Sequence, residues 1–476
     1  MSALTDPLPT KTKILYGFGS IAYGIKDNGF ATFLLFYYNQ VVGLRADLVG
    51  LAIAIALIAD AFIDPLIGRM TDRTHTRIGR RHPWLYASAV PIAATWLLLW
   101  HPPEASETVQ FFYLLTLAML VRFSLSLNEV PALAMLPELS RDYHDRTSIT
   151  RFRYLFGWGS GLSIMALAYS IFLAPTDEHP VGLLNPDGYS KYAIVGSIFM
   201  SIAVLVAASS THKRIVGAYH DSKSKIQASD TWKQMFDTLR YRPFLLLLLA
   251  GVFAFTNQGV VFALNTYLLP HVWQLDQNGL FLFAMLLFIA AVIAFVFVTP
   301  ISQRFGKARS ASVFTLIAMV LGTAPYWLRA MDLFPEPGSP ALIPTLFTFL
   351  ILGTSASICA MILTTSLMAD VTDAYEHEHG RRSEGVFASG VWFMQKTVGA
   401  LGILFASLII ALVQLPEKAT PGTVDIAIID RLSLVFASLT VVIALIGAWA
   451  YTLFPLDEKD HQARLDEQSK KPMPAE

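Results

Sequence analysis

Twelve apolar stretches recur along this chain, each long enough to span a bilayer, and that pattern leaves few folds open. A run of about 20 apolar residues crosses the hydrocarbon core as an α-helix. Such runs fall at roughly 13–40, 48–69, 84–102, 109–137, 152–174, 191–210, 243–267, 280–301, 311–333, 342–369, 385–414 and 431–455. In lipid the backbone must satisfy its own hydrogen bonds, so such segments form helices. Composition agrees, with 54% hydrophobic and 15% charged residues, against about 25% charged in a soluble domain. The expected fold is an all-α membrane protein of 12 transmembrane helices. The first, fourth, tenth and eleventh runs exceed one bilayer thickness, which tilt or extension accommodates.

Formal net charge is zero, so bulk electrostatics gives no sign of a nucleic-acid partner. The basic residues concentrate at the termini and in the even-to-odd loops, among them Arg80, Arg81, Arg141, Arg146, Lys213, Arg304 and Lys307. The positive-inside rule then places both termini in the cytoplasm of a plasma membrane, the bacterial inner membrane. An even helix count requires the termini to share a side. The longest polar connection, 211–242, divides an N-terminal six-helix bundle (1–210) from a C-terminal one (243–455). Residues 456–476 form a charged, proline-containing tail, expected to be disordered. Two six-helix halves around a cytoplasmic linker describe the major facilitator architecture. Cys359 is the only cysteine; it falls inside the tenth run and reads as a packing residue. Met1 to Lys13 is polar and short, unlike a cleavable signal peptide.

The apolar runs are interrupted by charge at few places. Asp60 and Asp64 stand four residues apart in the second run, ahead of Pro65. That spacing puts both carboxylates on one helix face, about 5–6 Å apart at Cβ. Each costs roughly 2.5–3.5 kcal/mol at a bilayer centre, so the pair points to a bound cation. Lys26 and Asp27 lie in the first run. Arg122, Ser126, Asn128 and Glu129 lie in the fourth, Arg151 and Arg153 open the fifth, and Lys396 lies in the eleventh. Intramembrane ionisable groups face the bundle interior and pair. Two or three carboxylates with a hydroxyl make an oxygen cage for a hard monovalent cation, or one carboxylate carries a proton. A carboxylate and a lysine beside an aqueous cavity suit sugar hydroxyls. Carboxylates shared between ion and solute would couple the two affinities reciprocally.

Other classes find no support. No Gly-x-x-x-x-Gly-Lys-Ser/Thr motif is present for an ATP-driven pump, and no His-Glu-x-x-His or Cys-x-x-Cys spacing for a metal. No nucleophile–base pair marks an enzyme, so no catalytic residue and no cofactor is assigned. The reading is a secondary active transporter, with Na⁺, H⁺ or Li⁺ as coupling ion. The solute is expected to be a small molecule, a glycoside in the first instance. The alternative is another small organic or lysolipid-like solute on the same fold. Its partners are that solute, the monovalent cation and the lipid bilayer, and it is expected to work as a monomer.

Motifs then add a resemblance. Gly68-x-x-x-Asp72-Arg73-x-x-x-Arg77-x-Gly79-Arg80-Arg81 resembles the signature loop of the major facilitator superfamily, and Ser302-Gln-Arg304-Phe-Gly306-Lys307 resembles a degenerate copy of it. Tyr16-Gly-Phe-Gly with Lys26-Asp27, Asp60-x-x-x-Asp64-Pro65-x-x-Gly68, Glu129-Val-Pro131, Arg146-Thr-Ser with Arg153, Asp370-Val-Thr-Asp373, Arg382-Ser-Glu384-Gly385 and Lys396 together resemble the glycoside–pentoside–hexuronide:cation symporter family. The resemblance implies a cation site at Asp60, Asp64, Glu129 and Ser126. It implies sugar contacts from Lys26, Asp27, Glu129 and Arg153. Lys396 would sit near the cation site, and Asp72, Arg73, Arg77, Arg382 and Lys396 would serve coupling or gating. This chain departs from the family pattern at Ile63 (asparagine), Glu129 (aspartate) and Leu133 (tryptophan).

Overall fold

The computed structural model describes residues 8–140, 143–221, 239–379 and 384–455. Arg382, the 456–476 tail and residues 222–238 of the expected linker lie outside the described residues. Among the described residues every regular element is helical: α1 (Thr10–Phe18), α2 (Ile21–Asn28), α3 (Leu34–Phe36), α4 (Ala46–Arg73), α5 (His82–Ala87), α6 (Ala89–Leu99), α7 (Glu107–Leu139), α8 (Tyr143–Leu167), α9 (Pro186–Asp221), α10 (Arg242–His271), α11 (Gln277–Phe305), α12 (Lys307–Ala330), α13 (Leu342–His379), α14 (Glu384–Val413) and α15 (Ile426–Thr452). Ten of these rods, α4 and α7 to α15, are long and apolar enough to cross a membrane. The first and third apolar runs are built from shorter pieces. Helix α9 continues past residue 210 to Asp221.

The first run packs closely against α8 at a glycine inside α2. A Cβ on Gly24 would overlap the Gly157 carbonyl and the Ser160 hydroxyl of α8. Only glycine permits this approach, and glycine weakens a helix interior. Beyond α2 the chain runs through two π-helical stretches, Gly29–Phe33 and Tyr37–Val42. A π-turn carries one more residue than an α-turn and loosens the carbonyl ladder. Thr32 O, in the first of these stretches, accepts from Thr266 Oγ1 at 2.8 Å, and Leu35 O, in α3 between them, accepts from the Tyr267 hydroxyl at 3.3 Å.

By packing, the chain forms two compact units. The first comprises 1–226, 261–285 and 403–429, and the second 227–260, 286–402 and 430–476. At one end of the first unit, Trp100 stacks on Tyr189 at 8°. Beside them Gln40 donates to Pro416 O and accepts from the Ala419 amide. At the other end, the basic edge, Leu8, Tyr16, Leu85, Met135, Leu139 and Ile149 form an apolar cluster. Asp145 closes that edge, taking the Leu8 amide at 2.7 Å and pairing with Lys13. Burial pushes the Asp145 carboxyl up, but the Leu8 amide, Lys13 and Ser140 outweigh it and hold it below the usual range. The core of the second unit gathers Phe244, Leu247, Cys359, Leu363, Val371, Phe387 and Tyr451. Cys359 packs there with its thiol toward Ala294 O.

Candidate functional site

The polar site of the first unit is built on α4 and α7. Asp60 and Ser126 are buried, and Asp64, one turn along from Asp60, is half-buried. Pro65 stands inside the helix beside Asp64 and leaves the backbone bond to Ala61 unmade. On α7, Arg122 and Ser126 repeat the same four-residue spacing. Arg122 is 4% exposed. Its Nε and Nη2 both donate to Asp60 Oδ2, at 3.0 and 2.8 Å. The guanidinium also lies over the Phe30 ring, 5.3 Å from its centroid. Ser126 Oγ stands between the two acids, 2.9 Å from Asp60 Oδ1 and 2.7 Å from Asp64 Oδ1. The two matched i, i+4 ladders thus interlock as one hydrogen-bonded cluster. A buried ion pair of this kind is strongly destabilised when one partner is removed.

The three-carboxylate cage implied by the family resemblance is not assembled in this conformation. Among the described residues no three His, Cys, Asp or Glu side chains come together as a metal site. Glu129 is half-buried and exerts its field on Tyr23 and Arg153. Glu129 belongs instead to a second polar group. Arg153 lies over the rings of Tyr16 and Tyr23, 5.5 and 5.7 Å from their centroids, and its Nη1 donates to the Tyr16 hydroxyl at 3.4 Å. The Tyr23 hydroxyl donates to Asn128 Oδ1 at 2.6 Å, and Asn128 Nδ2 donates to Ser88 Oγ. Between these groups lies a cavity of about 10 Å³, room for no more than a single water.

The remaining predicted residues separate by position. Lys26 is buried and pairs with Asp27 at 2.7 Å, while the Asp27 side chain is 67% exposed. Asp72 is exposed and reaches Arg81 at only 3.6 Å. Arg73 and Arg77 are exposed. The firm contacts of that loop are made by Arg80 and Arg81, whose guanidinium groups bond Glu138 at the end of α7, at 2.6 and 3.0 Å. Gly79 precedes them with φ 92°, a conformation that favours glycine. Lys396 is half-buried on α14 of the second unit.

Comparison with known proteins fixes the class. The family described as MFS/sugar transport protein matches residues 15–458. The chain belongs to this family. It is a multi-pass membrane transporter of the major facilitator type and not an enzyme, and the symporter resemblance read from its motifs stands. An isoprimeverose transporter of Lactiplantibacillus pentosus is 23% identical over 407 residues, 85% of this chain and 80% of that one. A sodium-dependent lysophosphatidylcholine symporter of Gallus gallus is 24% identical, over 95% of this chain and 88% of the other. A D-xylose-proton symporter of known crystal structure shares the fold at TM-score 0.65 and 12% identity, covering 94% of this chain and 98% of that one. Arg122, Asn128 and Glu138 make contacts here although the motifs did not single them out. Beyond its charge in an apolar run, Arg122 had a further signal: its spacing to Ser126 equals that of Asp60 to Asp64.

Proposed function

We infer that the protein is a cation-coupled symporter of a sugar or glycoside, working by alternating access. The observation that carries this reading is the buried Asp60–Arg122–Ser126–Asp64 cluster in a chain of the sugar-transport family. A membrane protein keeps so many ionisable groups in its interior at a cost that only binding or transport justifies. In this reading the ion binds at Asp60, Asp64 and Ser126, with Glu129 joining in another conformation. Lys26, Asp27, Glu129 and Arg153 contact the solute, and Lys396 serves coupling. Asp72, Arg73, Arg77 and Arg382 act with Arg81 and Glu138 in gating. The first and third runs also cross, giving 12 spans in two six-helix halves, 1–210 and 243–455, joined by 211–242. The basic edge is cytoplasmic, both termini lie there, the membrane is the bacterial inner membrane, and the working unit is a monomer.

The test is uptake of a labelled panel (isoprimeverose, xylosides, galactosides, glucuronides) into proteoliposomes under an imposed Na⁺ gradient, an imposed pH gradient or neither. Accumulation of one member under one gradient supports the reading. Asp64→Asn is expected to abolish that accumulation while leaving downhill exchange. Failure of every member under every gradient, with folded protein confirmed, overturns the sugar assignment. The lysophosphatidylcholine relative makes a lysolipid the next solute to assay.

A further inference from the structure

We propose that Ser88, Asn128 and Tyr23 form a hydrogen-bonded line of fixed direction that positions the Arg153 guanidinium for the solute. The inference rests on the reading of Arg153 as a solute contact and adds the residues that aim it. Ser88 stands between α5 and α6, where the third run is broken, and it is buried. Its Oγ donates to Leu85 O at 2.9 Å. A carbonyl oxygen has no proton, so the direction of every bond along the line follows from that end. Ser88 has committed its one proton and can only accept from its other neighbour, Asn128. Asn128 therefore turns Nδ2 to Ser88, at 3.1 Å, and Oδ1 to the Tyr23 hydroxyl, at 2.6 Å. The Tyr23 proton is thereby committed to Asn128. The Tyr16 hydroxyl is settled in the same way, because it donates to Ala132 O.

Both tyrosine hydroxyls thus commit their protons elsewhere and keep only lone pairs for Arg153. The guanidinium lies over both rings, 5.5 and 5.7 Å from their centroids, where the ring face attracts a cation. Ser88, Asn128, Tyr16 and Tyr23 are all buried, and a buried line with its donors matched is rigid. Among the described residues Arg153 forms no ion pair. A carboxylate would take the guanidinium's N–H groups two at a time. The tyrosine cradle instead holds the cation by its face, and Arg153 gives the Tyr16 hydroxyl one N–H at 3.4 Å. The cavity beside the cradle has room for no more than a water, and Arg153 is half-buried. A solute oxygen therefore meets the guanidinium at its exposed part, with donors still unused.

The experiment measures how fast phenylglyoxal labels Arg153 in the purified full-length protein, read by mass spectrometry of its peptides, with the buried Arg122 as internal reference. It needs no solute. Ser88→Ala acts through Asn128 and Tyr23, and is expected to speed labelling of Arg153 by about 2–10-fold, the worth of one hydrogen bond. Tyr23→Phe keeps the ring and loses the hydroxyl; it is expected to do the same, and it decides the matter should Ser88→Ala not fold. Ser88→Thr keeps a hydroxyl and is expected to label like the wild type. Unchanged labelling of Arg153 in both Ser88→Ala and Tyr23→Phe overturns the proposal. So does an equal rise at Arg122, which marks general loosening, or a Ser88→Thr variant that labels like Ser88→Ala. In proteoliposomes given labelled isoprimeverose, Ser88→Ala and Tyr23→Phe are expected to raise KM by about 2–10-fold and keep the maximal rate, as the loss of uniform binding does. Faster labelling with an unchanged KM overturns the link from the line to the solute. No uptake of isoprimeverose by the wild type counts against that sugar, and the labelling rates then decide the line by themselves.

Discussion

The two units solve the same structural problems alike and differ in what they place inside the membrane. In the first unit Gly79 turns with φ 92° and Arg81 bonds Glu138 at the end of α7. In the second, Gly306 turns with φ 81° and Lys307 bonds Asp370 near the end of α13 at 2.6 Å. The degenerate loop at 302–307 therefore still makes the clasp of the loop at 74–81. Both units also cross helices through glycine: Gly24 against Gly157 in the first, Gly402 against Gly259 in the second. They part company in the spans. Helix α4 carries two acids that α7 answers with Arg122 and Ser126. Helix α11 has no acid, and its best apolar window has a mean hydropathy of 3.1 against 2.2 for α4. Helix α13 carries no charge between Leu342 and Met368. Clasps and crossings are what the repeated fold needs. The interlocked acids, arginine and serine of α4 and α7 are what the first unit has in addition.

The largest effect should come from breaking the charged interior. Asp60→Asn strands the Arg122 guanidinium in a buried site and is expected to lower stability by about 3–5 kcal/mol. Asp60→Asn combined with Arg122→Gln should recover a good part of that loss in the same thermal melts. Equal stability of the single and double variants would remove the pair from the account. Next come the clasps. Arg81 is nearly buried and bonds Glu138, so Arg81→Ala is expected to cost about 1.5–3 kcal/mol. Lys307 is 34% exposed, so Lys307→Ala should cost only about 0.2–1 kcal/mol. A reversal of that order would show that the second clasp matters more than its exposure suggests.

Helix crossing is tested by Gly24→Ala, expected to cost about 1–3 kcal/mol through overpacking. Gly159→Ala on the facing helix meets nothing within 4 Å, and should stay within about 0.5 kcal/mol of wild type. A separate effect is a pH dependence of the first unit's edge. His82 sits against Thr211 and His212. Burial, with His212 beside it, pulls its imidazole down from 6.5 to about 4. The unfolded chain therefore binds this proton more readily than the folded one. Stability is full above about pH 6.5 and falls as pH drops from there toward 4, by up to about 1.4 kcal/mol per pH unit. His82→Gln should flatten that slope in melts between pH 7 and 5.

Much of this was legible in the chain. Apolar runs announce themselves because the bilayer tolerates little else, and for the same reason Asp60, Asp64, Arg122, Glu129 and Lys396 stand out against them. What could not be read was the pairing. Arg122 and Asp60 are 62 residues apart, and either Asp60 or Glu129 was a suitable acid for it. The broken first run was also hidden: Gly29–Phe33 and Tyr37–Val42 are apolar enough for an α-helix. The backbone geometry alone reveals the π-turns.

The sequence by itself determined the solvent, the helical class, the family and the set of charged residues available to the site. These follow from composition and short spacings, which act locally and leave little freedom. The tertiary structure alone decided that Asp60 answers to Arg122, that Ser126 bridges both acids, and that Arg153 lies over Tyr16 and Tyr23. Such choices depend on the rotation and depth of α4 against α7. That registry is set by side chains packing across the whole length of the helices, and no single stretch of sequence contains it.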